Sequence, residues 1–135
     1  MASGEVAEPE QGLLDTSVFI AAEQGRPLGL LPLTGSVAVA TIAELYLGVL
    51  MADDHSVRAT RLRTISMIES RFEALPVDAR VARVFAEIVA AARRQGRRPG
   101  VNDTWIAATA VANDLPLYTQ DDDFRSIPLV RTVLV

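Results

Sequence analysis

Apolar residues along this chain follow two rhythms, and the alternation between them predicts the fold. Short runs read as buried strands: Gly12-Leu13-Leu14, Ser36-Val37-Ala38-Val39-Ala40 and Leu117-Tyr118-Thr119. They are apolar on both faces, as strands of a parallel sheet tend to be. Between them apolar residues recur at helical spacing. Thr16 to Glu23 carries Val18, Phe19, Ala21 and Ala22 and is stopped by Gly25 and Pro27, with a loop over 28–35. Ile42, Leu45, Tyr46, Val49 and Leu50 mark a second helix, with Thr41 and Glu44 at the spacing of a capping box.

After a polar break over 51–56, Leu62, Ile65, Ile68 and Phe72 mark one face of a helix over about 57–72, and 74–77 is a short extended piece. Asp78 caps a strongly periodic helix through Val81, Val84, Phe85, Ile88, Val89 and Ala92, which ends in Arg93-Arg94-Gln95-Gly96. A loop over 97–100 leads to a helix that Asp103 opens and that runs to Asn113, and the last strand is expected over 129–135, at a sheet edge. Strands alternating with helices predict an α/β domain whose central parallel sheet has about four or five short strands flanked by helices.

At 135 residues this is one domain. The first eleven residues are polar, with Glu5, Glu8 and Glu10 and no cation. They are read as a disordered lead rather than a secretory leader, the domain as 12–135, and the protein as cytoplasmic, with no membrane span.

The absences narrow the chemistry. There is no cysteine, which removes thiol catalysis and thiolate zinc sites, and His55 is the only histidine, which removes a site of several imidazoles. All 13 cations are arginine, so there is no P-loop lysine and no Schiff base. Carboxylates, hydroxyls and a metal ion are what remains.

Four segments offer a carboxylate at the edge of an apolar element: Asp15, Glu44, Asp103 and Asp121. Each has an ordinary explanation. Asp15 can cap the helix after it, Glu44 can close the capping box, Asp103 can favour a helix N-terminus, and Asp121 can be one of three turn aspartates. Convergence would be different, because clustered carboxylates repel and need a cation, for which hard oxygen ligands select magnesium or manganese. In parallel sheets ligands gather beyond the carboxyl ends of the strands, where Asp15, Glu44 and Asp121 are expected.

The chain resembles a PIN domain of the VapC type, the toxin half of toxin–antitoxin pairs. The resemblance is carried by Leu13-Leu14-Asp15-Thr16-Ser17-Val18-Phe19-Ile20, by Thr41-Ile42-Ala43-Glu44-Leu45 with Gly48, by Val101-Asn102-Asp103-Thr104-Trp105-Ile106-Ala107-Ala108, and by Leu117-Tyr118-Thr119-Gln120-Asp121 with Asp123-Phe124. It implies an endoribonuclease with an acidic quartet at Asp15, Glu44, Asp103 and Asp121 around Mg2+, or Mn2+. Asp15 and Asp103 would be direct ligands, and Asp121 is chosen over Asp122 and Asp123 as the fourth acid. Water activated by the metal would attack in line and leave a 5′-phosphate.

Thr16 and Thr119 are candidate supporting hydroxyls. Arg93, Arg94, Arg97 and Arg98 are a candidate phosphate-binding rim, or simply a basic helix terminus. Trp105 is read as core and His55 as exposed. Expected partners are a VapB-like antitoxin on the helices over 41–50 and 57–72, an RNA substrate (tRNA, rRNA or mRNA) and a second copy in a homodimer. The rival readings are a catalytically silent RNA- or protein-binding module and a phosphatase built around Asp15. The phosphatase is disfavoured because Ser17 stands where such sites use a second aspartate.

Overall fold

A computed structural model describes residues 11–135. Five strands, β1 (Gln11–Leu14), β2 (Thr34–Ala38), β3 (Glu73–Leu75), β4 (Leu117–Thr119) and β5 (Thr132–Leu134), form one sheet in the order β3-β2-β1-β4-β5. Every neighbouring pair is parallel. The helices between them are α1 (Thr16–Glu23), α2 (Val39–Leu50), α3 (His55–Arg71), α4 (Ala79–Arg94) and α5 (Val101–Ala112), with a 3-10 turn over Asp122–Ser126. Among the described residues no helix is long and apolar enough to cross a membrane.

The two-residue period of the strands builds two cores. Leu13 pairs with Leu117, and both side chains enter the core formed by α4 and α5 with Val81, Ile88 and Ile106. Their chain neighbours Leu14 and Tyr118 face the other way, onto Phe19, Leu45, Ile65 and Ile68 of α1, α2 and α3. A strand buried on both faces cannot show polar alternation, which is why these runs read as continuously apolar. The small residues Ala107, Ala108 and Ala110, all fully buried, let α5 lie close to the sheet.

Several boundaries differ from the expectation, each for a local reason. Gln11, placed in the lead, starts β1, while the rest of that segment lies outside the described residues. The second strand ends at Ala38, and Val39 and Ala40 already belong to α2, whose N-cap Ala38 has no side-chain hydrogen bond. Thr41 therefore sits inside the first turn and the capping box does not form. The hydroxyl of Thr41 is instead buried against Thr16, 3.1 Å away.

The polar break is shorter than expected, because Asp54 accepts from the backbone N–H groups of Ser56 (2.7 Å) and Val57 (3.3 Å) and starts α3 at His55. Those bonds, with that of the Ser56 hydroxyl first among them, hold the Asp54 carboxyl below its ordinary pKa. Asp78 caps α4 as expected, accepting from Val81 at 3.0 Å. Gly25 and Gly96 end α1 and α4 at φ of 70° and 72°, where a side chain would be strained. The final strand is only three residues long, and β5 is an edge strand.

Candidate metal centre

The chain reverses the direction in which it adds strands at β1: β2 lies on one side and β4 on the other. Such a switch point opens a crevice at the carboxyl ends of the two strands, because their outgoing connections part to opposite sides. Asp15 follows the last residue of β1, and Asp121 stands two residues after β4. The topology alone therefore places two of the four acids at one crevice.

Asp15 is 4% exposed. It caps α1, accepting at Oδ2 from the Ser17 backbone N–H (3.2 Å) and hydroxyl (2.6 Å) and from the Thr119 hydroxyl (2.9 Å). Both hydroxyl protons are spent on the carboxylate, so the 3.1 Å approach of the Ser17 and Thr119 oxygens is proximity and no further bond. Each oxygen also accepts one backbone N–H: Gln120 to Ser17 and Asp121 to Thr119, both at 2.9 Å. Among the described residues Oδ1 of Asp15 accepts nothing. One oxygen anchors the side chain and leaves the other available as a ligand.

Glu44, on α2, is held by the hydroxyl of Thr16. Thr16 has one proton, and the charged acceptor is the stronger partner. The Thr41 oxygen, 3.1 Å from that of Thr16, is a second acceptor for the same proton, so Thr16 on α1 bridges Thr41 and Glu44 of α2. Asp121 caps the 3-10 turn, accepting from the Asp123 N–H at 2.9 Å. The ordinary explanations for Asp15 and Asp121 are thus correct and do not exclude a second role.

Asp103 lies within electrostatic range of the other acids. Its carboxyl is pushed up from 3.8 to about 6, first by burial, then by the charges of Asp15, Asp121, Glu44 and Asp123. Ion pairs among the described residues join Arg80 to Asp78 and Arg125 to Asp122, so no arginine neutralises the four acids. Asp122 and Asp123 are both exposed, but Asp122 is paired with Arg125 whereas Asp123 lines the cleft beside Asp103, and Asp121 is half-buried.

No three His, Cys, Asp or Glu side chains among the described residues are arranged to hold a metal ion as they stand. The two observations differ in range: charge repulsion extends well beyond ligand distance. An all-oxygen donor set under mutual repulsion suits a hard divalent cation, reached by side-chain rotation or through water. The orphaned Nδ2 of Asn102, buried without a partner, is a donor still in need of an acceptor beside Asp103.

The repulsion has a measurable consequence. An acid whose folded-state pKa lies above its ordinary value loses stability as it ionises, so metal-free protein should weaken as pH rises from about 4 to about 6. Discounted for the half-open position of Asp103, the loss is about 1 kcal/mol. Thermal denaturation in EDTA should show it, and Asp103→Asn should flatten the profile.

Of the four arginines, Arg97 and Arg98 line a cleft of about 350 Å³ together with Asp103 and Asp123. Arg97 is fixed there by a 2.9 Å bond to the Ser126 carbonyl. Arg93 reaches a second cavity, and Arg94 lines neither. Trp105 is half-buried and stacks on Phe85 at 3.8 Å, and His55 is exposed at the start of α3. Sequence reading did not assign Ser17, Thr41 or Asn102 to the site. The signal for Ser17 was present in the run Asp15-Thr16-Ser17, since hydroxyls beside a carboxylate at a strand end can orient it.

Comparison with known proteins gives the family. A profile of the PIN domain matches residues 12–129. Ribonuclease VapC5 of Mycobacterium tuberculosis is 46% identical over 121 residues, covering 88% of this chain and 89% of that one. Ribonuclease VapC4 of the same organism is 39% identical over 127 residues, covering 93% and 97%. The crystal structure of VapBC-5, a member of the VapBC family of toxin-antitoxin systems from that organism, superposes with a TM-score of 0.82 at 40% identity, covering 94% of this chain and 98% of that one. From the order of its strands to the identity of its relatives, the chain is a PIN domain and belongs to the VapC ribonuclease family.

Proposed function

We propose that this protein is the toxin of a type II toxin–antitoxin pair, a divalent-metal-dependent endoribonuclease that hydrolyses RNA phosphodiester bonds and is silenced by a VapB-like antitoxin. The reading is supported by the setting of the acids: Asp15 and Asp121 stand at the switch point of the sheet, Asp103 lies within range of their charges and that of Glu44, and among the described residues no ion pair neutralises them. A cluster of that charge works against folding and is of use only to a cation. Mg2+, or Mn2+, when bound, screens the scissile phosphate and makes water a better nucleophile.

The side chains divide the remaining work. Asp15 offers Oδ1 while Ser17 and Thr119 hold Oδ2. Asp103 offers its carboxylate from the first turn of α5. Thr16 orients Glu44, and the Asp121 carboxylate is held over the crevice by its cap. Arg97 and Arg98 flank the acids and pair with phosphates on either side of the cut, giving an all-acid centre the attraction for RNA that it lacks. The substrate is tRNA, rRNA or mRNA in the cytoplasm.

Tyr46, Leu47, Leu50 and Met51, on α2 and at its end, are exposed apolar residues, and so is Leu62 on the neighbouring α3. Exposure of this kind on a water-soluble domain fits an antitoxin segment, and the complex is expected to contain a toxin homodimer. The test is incubation of purified, antitoxin-free protein with total cellular RNA in Mg2+, Mn2+ or EDTA, with the product ends sequenced. Discrete metal-dependent cuts with 5′-phosphate ends are expected. Folded protein that cuts nothing in either metal would replace the reading with a silent RNA-binding module.

A further inference from the structure

Beside the acidic cleft lies a second cavity of about 260 Å³ that the metal chemistry does not use. Phe85, Val89 and Val101 give it an apolar lining, and Arg97, Arg98 and Pro99 form a wall common to both spaces. We propose that this cavity seats a nucleobase adjoining the scissile phosphate, and that its arginine rim prefers guanine, whose O6 and N7 form a paired acceptor edge, over adenine, which carries an amine in place of O6. The proposal rests on the nuclease reading above.

Three features point to a nucleotide. The first is the order of chemistries, which is that of a nucleotide itself: acids for the scissile phosphate, guanidinium groups next, then an apolar slot for a flat ring. The second is charge. Arg93 also lines the slot, and among the described residues neither Arg93 nor Arg98 has an ion-pair partner. Three arginines repel a basic protein side chain and attract a base that arrives with its phosphates.

The third is the polarity of the rim. Guanidinium groups only donate. Such donors pair with O6 and N7 of guanine together, whereas the matching edge of adenine sets the N6 amine, itself a donor, against them. Phe85, which lines the cavity, stacks its ring on Trp105.

Trp105 is the only tryptophan and reports on this stack. In EDTA, so that the acids do not contribute through metal, guanosine 5′-monophosphate titrated into the full chain should change Trp105 emission saturably. Adenosine 5′-monophosphate should bind about tenfold more weakly, and ribose 5-phosphate, which lacks the base, should give no change. Val101→Phe fills the slot from an exposed position at the start of α5 and should abolish the response, and Val89→Phe should do the same from the floor. On randomised RNA, Val101→Phe should flatten the preference at one position beside the cut.

An equal response to ribose 5-phosphate, equal binding of the two nucleotides, no response to either, or an unchanged response in folded Val101→Phe would each overturn the proposal. The fluorescence assay needs no cleavage. A protein that binds the nucleotide as expected but cuts no RNA would therefore sink the nuclease reading and leave the pocket standing.

Discussion

Asp15→Asn and Asp103→Asn should each lower metal-dependent RNA cleavage by at least about 10³-fold, with the fold retained. The two variants fail for different reasons. At position 15 an asparagine keeps the cap of α1, because Asn is as good an N-cap as Asp. Its carbonyl oxygen takes the place of Oδ2, where Ser17 and Thr119 donate. The amide nitrogen is then forced into the place of Oδ1, and a donor stands where a cation needs a lone pair. At position 103 the substitution removes the charge on which the other acids act, so the metal-free variant should be more stable than the parent at neutral pH while losing activity. A gain in stability coupled to a loss of cleavage is the mark of a site built against the interest of the fold. Cleavage rates and denaturation midpoints measured on the same preparations test both halves.

Thr119→Val should lower cleavage about 10- to 100-fold and raise the Mg2+ concentration needed for half-maximal rate, while Thr119→Ser should keep most of both. Thr119 is fully buried at the end of β4. Its hydroxyl gives its proton to Asp15 and accepts the N–H of Asp121, so a single oxygen ties two acids of the quartet together. Valine matches the shape and leaves no cavity, but it frees Asp15 to turn and leaves the N–H of Asp121 without its partner, costing about 1–3 kcal/mol. A purely structural role would lower stability without moving the metal dependence. Recovery by serine separates the hydroxyl from the packing.

Much of this was legible in the sequence because the same residues serve both fold and site. Leu13-Leu14 and Leu117-Tyr118 must be buried on both faces, which announces a parallel sheet, and a parallel sheet announces where its ligands bind. What the chain could not disclose alone was tertiary. Thr41 and Glu44 have the spacing of a capping box, and local propensity supports one. The helix begins two residues earlier because Val39 and Ala40 are recruited into it, and both polar side chains then turn to Thr16. The placement of Asp103 was equally invisible, since a carboxylate in a first helical turn is expected on any exposed helix. Only the packing of α5 against β1 and β4 through Leu13, Ile106 and Leu117 brings it over the crevice. Among the basic residues, Arg94 and Arg97 look alike in sequence. The carbonyl of Ser126, on the far side of the cleft, distinguishes them.

The most direct test of the acidic centre is anomalous diffraction from crystals grown with Mn2+. A peak is expected in the crevice between β1 and β4, with Asp15 Oδ1 and an Asp103 oxygen at about 2.1–2.2 Å. The peak should vanish in crystals of Asp103→Asn. No peak there at saturating Mn2+, or one that survives the loss of Asp103, would contradict an acidic metal centre.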